Sequence, residues 1–325
     1  MQRIPLNIQT LYADLQQQVE TASSDEATVV ATTVAGIRYL RLQRWVGSSR
    51  TVEHLGRADD PEVLVRAEGA RAEMARREER RRLVAALRRL IPGPTTALGK
   101  VADSVAHAGL FRRGAVLVGT AAYQCYPPLL GAVLPAASVM TQDLDLATAD
   151  LALDADIQGD SMLAILRRAE PSFSAVPGLD PKAPPSRFRD AQGFVVDLLT
   201  PQRGRSDRDP MPLKGLAAGA TPLQYLDWLI VDPVPAVALH GAGVPVMLPQ
   251  PGRFAVHKLI VAQRRGAHEI VKSRKDLAQA GAMIELLRAD APYAWQDALG
   301  DAMRRGRDGW SRPIERSLAM LGLEP

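Results

Sequence analysis

A single cysteine, Cys125, in 325 residues excludes an internal disulfide framework and any thiolate zinc cluster within one chain. The five histidines, His54, His107, His240, His257 and His268, include no pair at a metal-ligand spacing such as H-x-x-x-H. A bound metal would therefore rest on carboxylate oxygens, which points to Mg2+ or Mn2+. No apolar run reaches the roughly 18 to 20 residues that a membrane span needs, and the opening stretch MQRIPLNIQTLYADLQQQVE has no apolar segment of signal-peptide type. The expectation is a cytosolic, soluble protein with no membrane partner. Internal repeats and low-complexity segments are lacking too, as are a Walker G-x-x-x-x-G-K-[ST] run and a G-x-G-x-x-G turn.

What is present suits a globular chain. Hydrophobic residues make up 46% of the sequence, and the length allows two domains, or one domain with large helical additions. The net charge is only +4, but arginine supplies nearly all of the positive charge and clusters in RREERRRLVAALRRL and RRGRDGWSRPIERS. Guanidinium forks suit phosphate oxygens, so an RNA-interacting helix between Arg66 and Arg89 is one reading. Interleaved glutamates favour the other, a solvated helix face held by i,i+4 pairs.

The hydrophobic pattern divides the chain. Leu11, Leu15 and Val19 form one stripe of an opening helix over 6–20. Alternating β-branched and aromatic residues in TVVATTVAGIRYLRLQRWVGSSRTVEHLG predict a β-meander. A long charged helix starts at Pro61 and stops near LIPGPTT, where Pro92, Gly93 and Pro94 cannot continue it. The segment TTALGKVADSVAHAGLF is a helix with Thr95 or Thr96 as N-cap and Gly109 as stop. A buried strand GAVLVGT follows, then a helix broken by Pro127-Pro128, a strand DLDLA, and a helix SMLAILRRAE. SRFRD and FVVDLLT form a hairpin around AQG, and PAVALH and VPVMLP form another around GAG. Beyond Gly252 the chain is helical. The division is an N-terminal region of helix, meander and long charged helix over residues 1–94, an α/β core over 95–252 and a helical C-terminal region over 253–325.

Chemistry concentrates in the core. On a strand Asp143 and Asp145 point the same way while Leu144 and Leu146 face a core, and two carboxylates that close repel unless a cation neutralises them. An edge strand in water would explain the pair as well. Asp197, alone in the apolar strand GFVVDLLT, shifts the balance, because it must be paired, cation-bound or at an edge. Three carboxylates on neighbouring strands suit a two-metal site. The string DADIQGD starts like a calcium loop, but position twelve is Ile165, so Asp150, Asp154, Asp156 and Asp160 are expected in a solvated loop. Gly119-Thr120 reads as a helix entry or an anion-binding turn. Lys258 and Arg265 lie on one helix face, and Lys275 follows on the next helix. Each of the three is either a triphosphate ligand or a surface charge.

A strand ending in Gly-Thr, a helix, a strand with D-x-D and a third aspartate on a later strand resemble the DNA polymerase beta-like nucleotidyltransferase superfamily. More narrowly, the stretch from GLFRRGAVLVGT through FVVDLLTP to RFAVHKLIVAQRR and KDLAQA looks like a bacterial group of nucleotidyltransferase-fold proteins. The resemblance implies an α/β (α+β) polymerase-beta-type core with a short mixed sheet, flanked by an N-terminal β-meander plus helix and a C-terminal helical bundle. It implies transfer of a nucleoside monophosphate from an NTP, with ATP favoured, to a hydroxyl acceptor, with Mg2+ or Mn2+ as cofactor. Gly119 and Thr120 would contact phosphates, Asp143 and Asp145 would ligate both metals, and Asp197 would complete the catalytic metal site. Lys258 would match a basic residue on the helix after the core, near the triphosphate. Thr120 replaces the usual serine, and the spacer to Asp143 is longer than is common. The acceptor, whether small molecule, RNA end or protein side chain, is not legible. A nucleotide-binding protein without turnover, or an RNA-interacting one, is the alternative.

Overall fold

The structure is a computed structural model that describes residues 1–22, 27–46, 49–135, 141–149, 160–178, 180, 183–204 and 209–324. The first helix, α1 (Leu6–Glu20), buries Ile8, Tyr12, Leu15 and Val19, one residue per turn along one stripe. Strands β1 (Ala27–Val34), β2 (Ile37–Val46) and β3 (Ser49–Arg57) form an antiparallel meander. Ala35 and Gly36, both at positive φ, make the first of its turns. Helix α2 (Pro61–Leu87) starts with the Asp60 carboxylate accepting from the Glu62 N–H at 2.9 Å, and with proline in its first turn. Its early residues Val63 and Ala67 cover Leu40, Leu42 and Leu55 of the meander, and its last turn, Val84 and Leu87, packs on α1. The arginine-rich face is laced by pairs such as Arg76 with Glu73 and Arg82 with Glu78, as the interleaved charges suggest.

Helix α3 (Thr96–His107) is capped by the Thr95 hydroxyl, which accepts from Leu98 N–H at 3.3 Å, and it is followed by Gly109 at φ +72. Strand β4 (Val116–Val118) leads into α4 (Gly119–Tyr123) and α5 (Tyr126–Leu130). The interruption falls at Gln124 and Cys125. Pro127 and Pro128 do not break a helix but lie in the first turn of the next, where no N–H partner is lost. Strand β5 (Asp143–Ala147), helix α6 (Met162–Ala169), the short strand β6 (Ser174–Ala175) and the hairpin of β7 (Arg187–Arg189) with β8 (Val195–Pro201) come next. Asp150, Asp154 and Asp156 lie outside the described residues, and Asp160 pairs with Arg168.

The central sheet has seven strands, with β9 (Met211–Leu213) and β10 (Ala218–Leu223) completing the order β4-β5-β8-β10-β9 and β7 joining the same side of β8 as β10. It is mixed: β5, β8 and β10 are parallel, while β4, β7 and β9 run against their neighbours. One face, with Leu117, Leu144, Leu146, Phe188, Val196 and Leu198, belongs to the main core beneath α3 and α6. The other carries Val116, Val118, Ala147 and Leu199, which pack on α7 (Leu226–Leu229). Neither β9, β10 nor α7 has a hydrophobic period that marks it in the sequence.

Strands β11 (Val234–Ala238) and β12 (Val244–Leu248) form the second hairpin. The Tyr12 hydroxyl closes the outer edge of β11, accepting from Val237 N–H at 2.8 Å and donating to its carbonyl at 3.1 Å. The chain ends in α8 (Pro251–Arg264), α9 (Ile270–Asp290), α10 (Pro292–Met303) and α11 (Arg312–Met320), with Phe254, Leu259 and Ile260 of α8 buried in the main core. Among the described residues no helix is long and apolar enough to cross a membrane.

Candidate active site

Parallel pairing of β5 with β8 sets Asp145 directly opposite Asp197, and Asp143 opposite Val195. Because side chains alternate, the three aspartates share the sheet face that faces away from Leu144, Leu146, Val196 and Leu198. Across β4, Gly119 closes the row: a Cβ there would stand 2.2 Å from Asp145 Oδ2, and its φ of +64 is itself a conformation that glycine alone adopts without strain. Asp143 is exposed at the start of β5 and takes a hydrogen bond from the Thr141 hydroxyl. Asp145 is partly buried, and desolvation, reinforced by the charges of Asp143 and Asp197, pushes its carboxyl up to about 7. The charges of Lys258 and Arg265 oppose that rise more weakly.

Asp197 has a partner to which the sequence pattern alone gives no role. Arg187 on β7 stands opposite it in register and grips it with two bonds, Nε to Oδ1 at 2.6 Å and Nη2 to Oδ2 at 2.9 Å. The hairpin turn carries a signal that could have found it: counting outward from AQG, Asp190 meets Phe194, Arg189 meets Val195 and Arg187 meets Asp197.

The basic residues named from sequence gather on the α8 and α9 side. Lys258, buried, donates to Asp276 Oδ1 at 2.7 Å, and Arg265 Nε donates to Oδ2 of the same carboxylate at 3.0 Å. Arg265 also reaches Glu269 at 3.3 Å. Burial pushes the Asp276 carboxyl up, but the two cations outweigh it and hold it below its ordinary value. Lys258 and Arg265 are thus satisfied inside the protein, with Asp276 as the carboxylate that sequence reasoning left without a role. Lys275 is half-buried, and burial holds its ammonium below its ordinary value against the opposing charge of Asp143. Thr120 is buried and its hydroxyl accepts from Gln279 Nε2 at 3.3 Å, which ties α4 to α9.

Among the described residues no group of three or more His, Cys, Asp or Glu is arranged to hold a metal ion. The donor set nonetheless has the chemistry of a hard dication site: its oxygens come from carboxylates alone, two of which face each other across one strand pair, and Asp197 already draws a cation, Arg187. Such a row can hold positive charge, which would relieve the burial and mutual repulsion that raise the Asp145 carboxyl.

No curated protein and no solved structure matches the chain. A family model described as nucleotidyltransferase matches residues 96–304, from the first turn of α3 to the end of α10, with Gly119, Asp143, Asp145 and Asp197 inside the match. That match spans more than half of the sequence, and the chain belongs to this nucleotidyltransferase family.

Proposed function

We propose that the protein transfers a nucleoside monophosphate from an NTP, with ATP favoured, to a hydroxyl acceptor and releases pyrophosphate. The observation that carries this reading is the register that sets Asp145 against Asp197, with Gly119 pressed on the Asp145 carboxylate. Asp143, Asp145 and Asp197 would hold Mg2+ or Mn2+, which supplies charge neutralisation to the triphosphate and acidifies a nearby hydroxyl. In the step itself the acceptor oxygen bonds to the α-phosphorus and the bridging bond to the β-phosphate breaks. Asp197 takes the hydroxyl proton. Lys275 suits the triphosphate, with Gly119 and Thr120 on the same side of the row, since Gln279, one turn after Lys275 on α9, binds the Thr120 hydroxyl. Lys258 and Arg265 act through Asp276 and keep α8 and α9 aligned beside the row. The resemblance of the glycine turn and the three aspartates to polymerase beta-like nucleotidyltransferases supports the same chemistry, and we infer the division 1–94, 95–252 and 253–325 with it.

The test is pyrophosphate release with each NTP and Mg2+ over a panel of hydroxyl acceptors that includes RNA ends. Asp143→Asn and Asp197→Asn are expected to lower release at least ~100-fold while circular dichroism stays unchanged. Release that persists in both variants sinks the assignment. One observation favours a second reading, a nucleotide-binding protein without turnover: Arg187 engages the third carboxylate. NTP binding by wild-type protein, with no pyrophosphate formed on any acceptor, would select it.

A further inference from the structure

Every carboxylate of the row faces the repulsion of the others, and Asp197 is matched by a fork of two charge-assisted hydrogen bonds. The match is set by backbone pairing, because β7 and β8 form a tight antiparallel hairpin whose register fixes Arg187 opposite Asp197. The two partners differ in freedom. The Asp197 side chain is 18% exposed and the Arg187 side chain 54% exposed, so the carboxylate is fixed in the sheet while the guanidinium can swing into solvent on its long stem. Arg187 also feels the charges of Asp145 and Asp143, which places it against the row as a whole. A half-exposed pair of this kind is weak, and a dication facing three carboxylates outweighs it.

We infer that Arg187 is a displaceable counter-ion: it neutralises Asp197 until a divalent cation takes that carboxylate, and cation binding releases its guanidinium to the side of the site away from Gly119. The inference rests on the reading of the acidic row as a metal site. Its order follows from the sheet, β4-β5-β8 with β7 beyond, which sets Gly119 at one end of the row and Arg187 at the other. Arg187 is a positioning residue in the first state, since it acts through Asp197.

The test uses Mn2+ alone, without nucleotide, titrated into the full chain by calorimetry, with thermal melting as a second readout. Arg187→Ala is expected to bind Mn2+ about three- to tenfold more tightly than wild type, because the competing guanidinium is gone. Its melting temperature is expected to fall without metal and to rise more than the wild type's on adding Mn2+, since Asp197 loses that fork. Arg187→Gln, which keeps the stem and removes the charge, serves if the alanine variant does not fold, with the same expected direction. Unchanged or weaker Mn2+ binding in these variants, beside clear binding by wild type, overturns the counter-ion while leaving the metal site intact. No Mn2+ binding by wild type or by either variant overturns the metal site, and the counter-ion with it.

Discussion

At the scale of single residues, Gly119 is the position where backbone and chemistry constrain each other most. A methyl group there would meet the Asp145 carboxylate at 2.2 Å and would sit at a φ of +64, so Gly119→Ala has to move either the strand end or the carboxylate. The expected cost is about 1 to 3 kcal/mol in urea unfolding. Pyrophosphate release should fall further than stability alone accounts for, since the atom displaced belongs to the site. Full activity in a folded Gly119→Ala protein would show that Asp145 is not part of it. Neighbouring Thr120 carries a different constraint: its hydroxyl is buried and accepts from Gln279, which leaves its O–H proton and its backbone N–H as the donors for a phosphate role. That distinction separates two residues that the sequence presents as one dipeptide.

At the scale of elements, the join between α8 and α9 depends on one carboxylate. Asp276 holds Lys258 and Arg265 together, and Lys258 and Asp276 are both nearly inaccessible. Removing it in Asp276→Ala strands a buried ammonium, which costs about 3 to 5 kcal/mol. The double variant Lys258→Met with Asp276→Leu should recover most of that loss, and urea titration of the three proteins checks it. No recovery would mean that the pair is needed for geometry and not only for neutrality. Here the sequence is only partly legible. Period-3.6 stripes and proline or glycine stops locate α1, α2, α3 and the C-terminal helices, and alternation locates the meander and both hairpins. Lys258 and Arg265, seven residues apart, are expected on one helix face, but α8 ends at Arg264 and Arg265 follows it in extended backbone; what joins the two is Asp276, which belongs to another helix, and long-range ion pairs leave no local pattern. The strand β10, AGATPL, escapes for a plainer reason: alanine, glycine and proline carry little strand signal, and only its burial between β8 and β9 makes it one. Arg187 is the intermediate case, fixed by local counting from a turn that is itself plain in the sequence.

At the scale of the whole molecule, the N-terminal helix and the second hairpin share a core that spans the chain. Ile8, Tyr12 and Leu15 pack with Val237 and Leu239, more than 200 positions later, and the Tyr12 hydroxyl meets both backbone groups of Val237. Tyr12→Phe leaves a buried N–H and a buried carbonyl without a partner, an expected loss of about 1 to 3 kcal/mol. Because the contact is long-range, that loss should appear in one cooperative urea transition, and an early separate transition would contradict the shared core. The central sheet adds a consequence of the same kind. A slip of β8 by one residue would turn Asp197 inward among Leu144 and Phe188 and expose Leu198 in its place. Such a molecule could not stay folded, so the register that assembles the acidic row is proofread by the core itself, and a preparation should contain competent or unfolded chains with no folded, misaligned fraction between them.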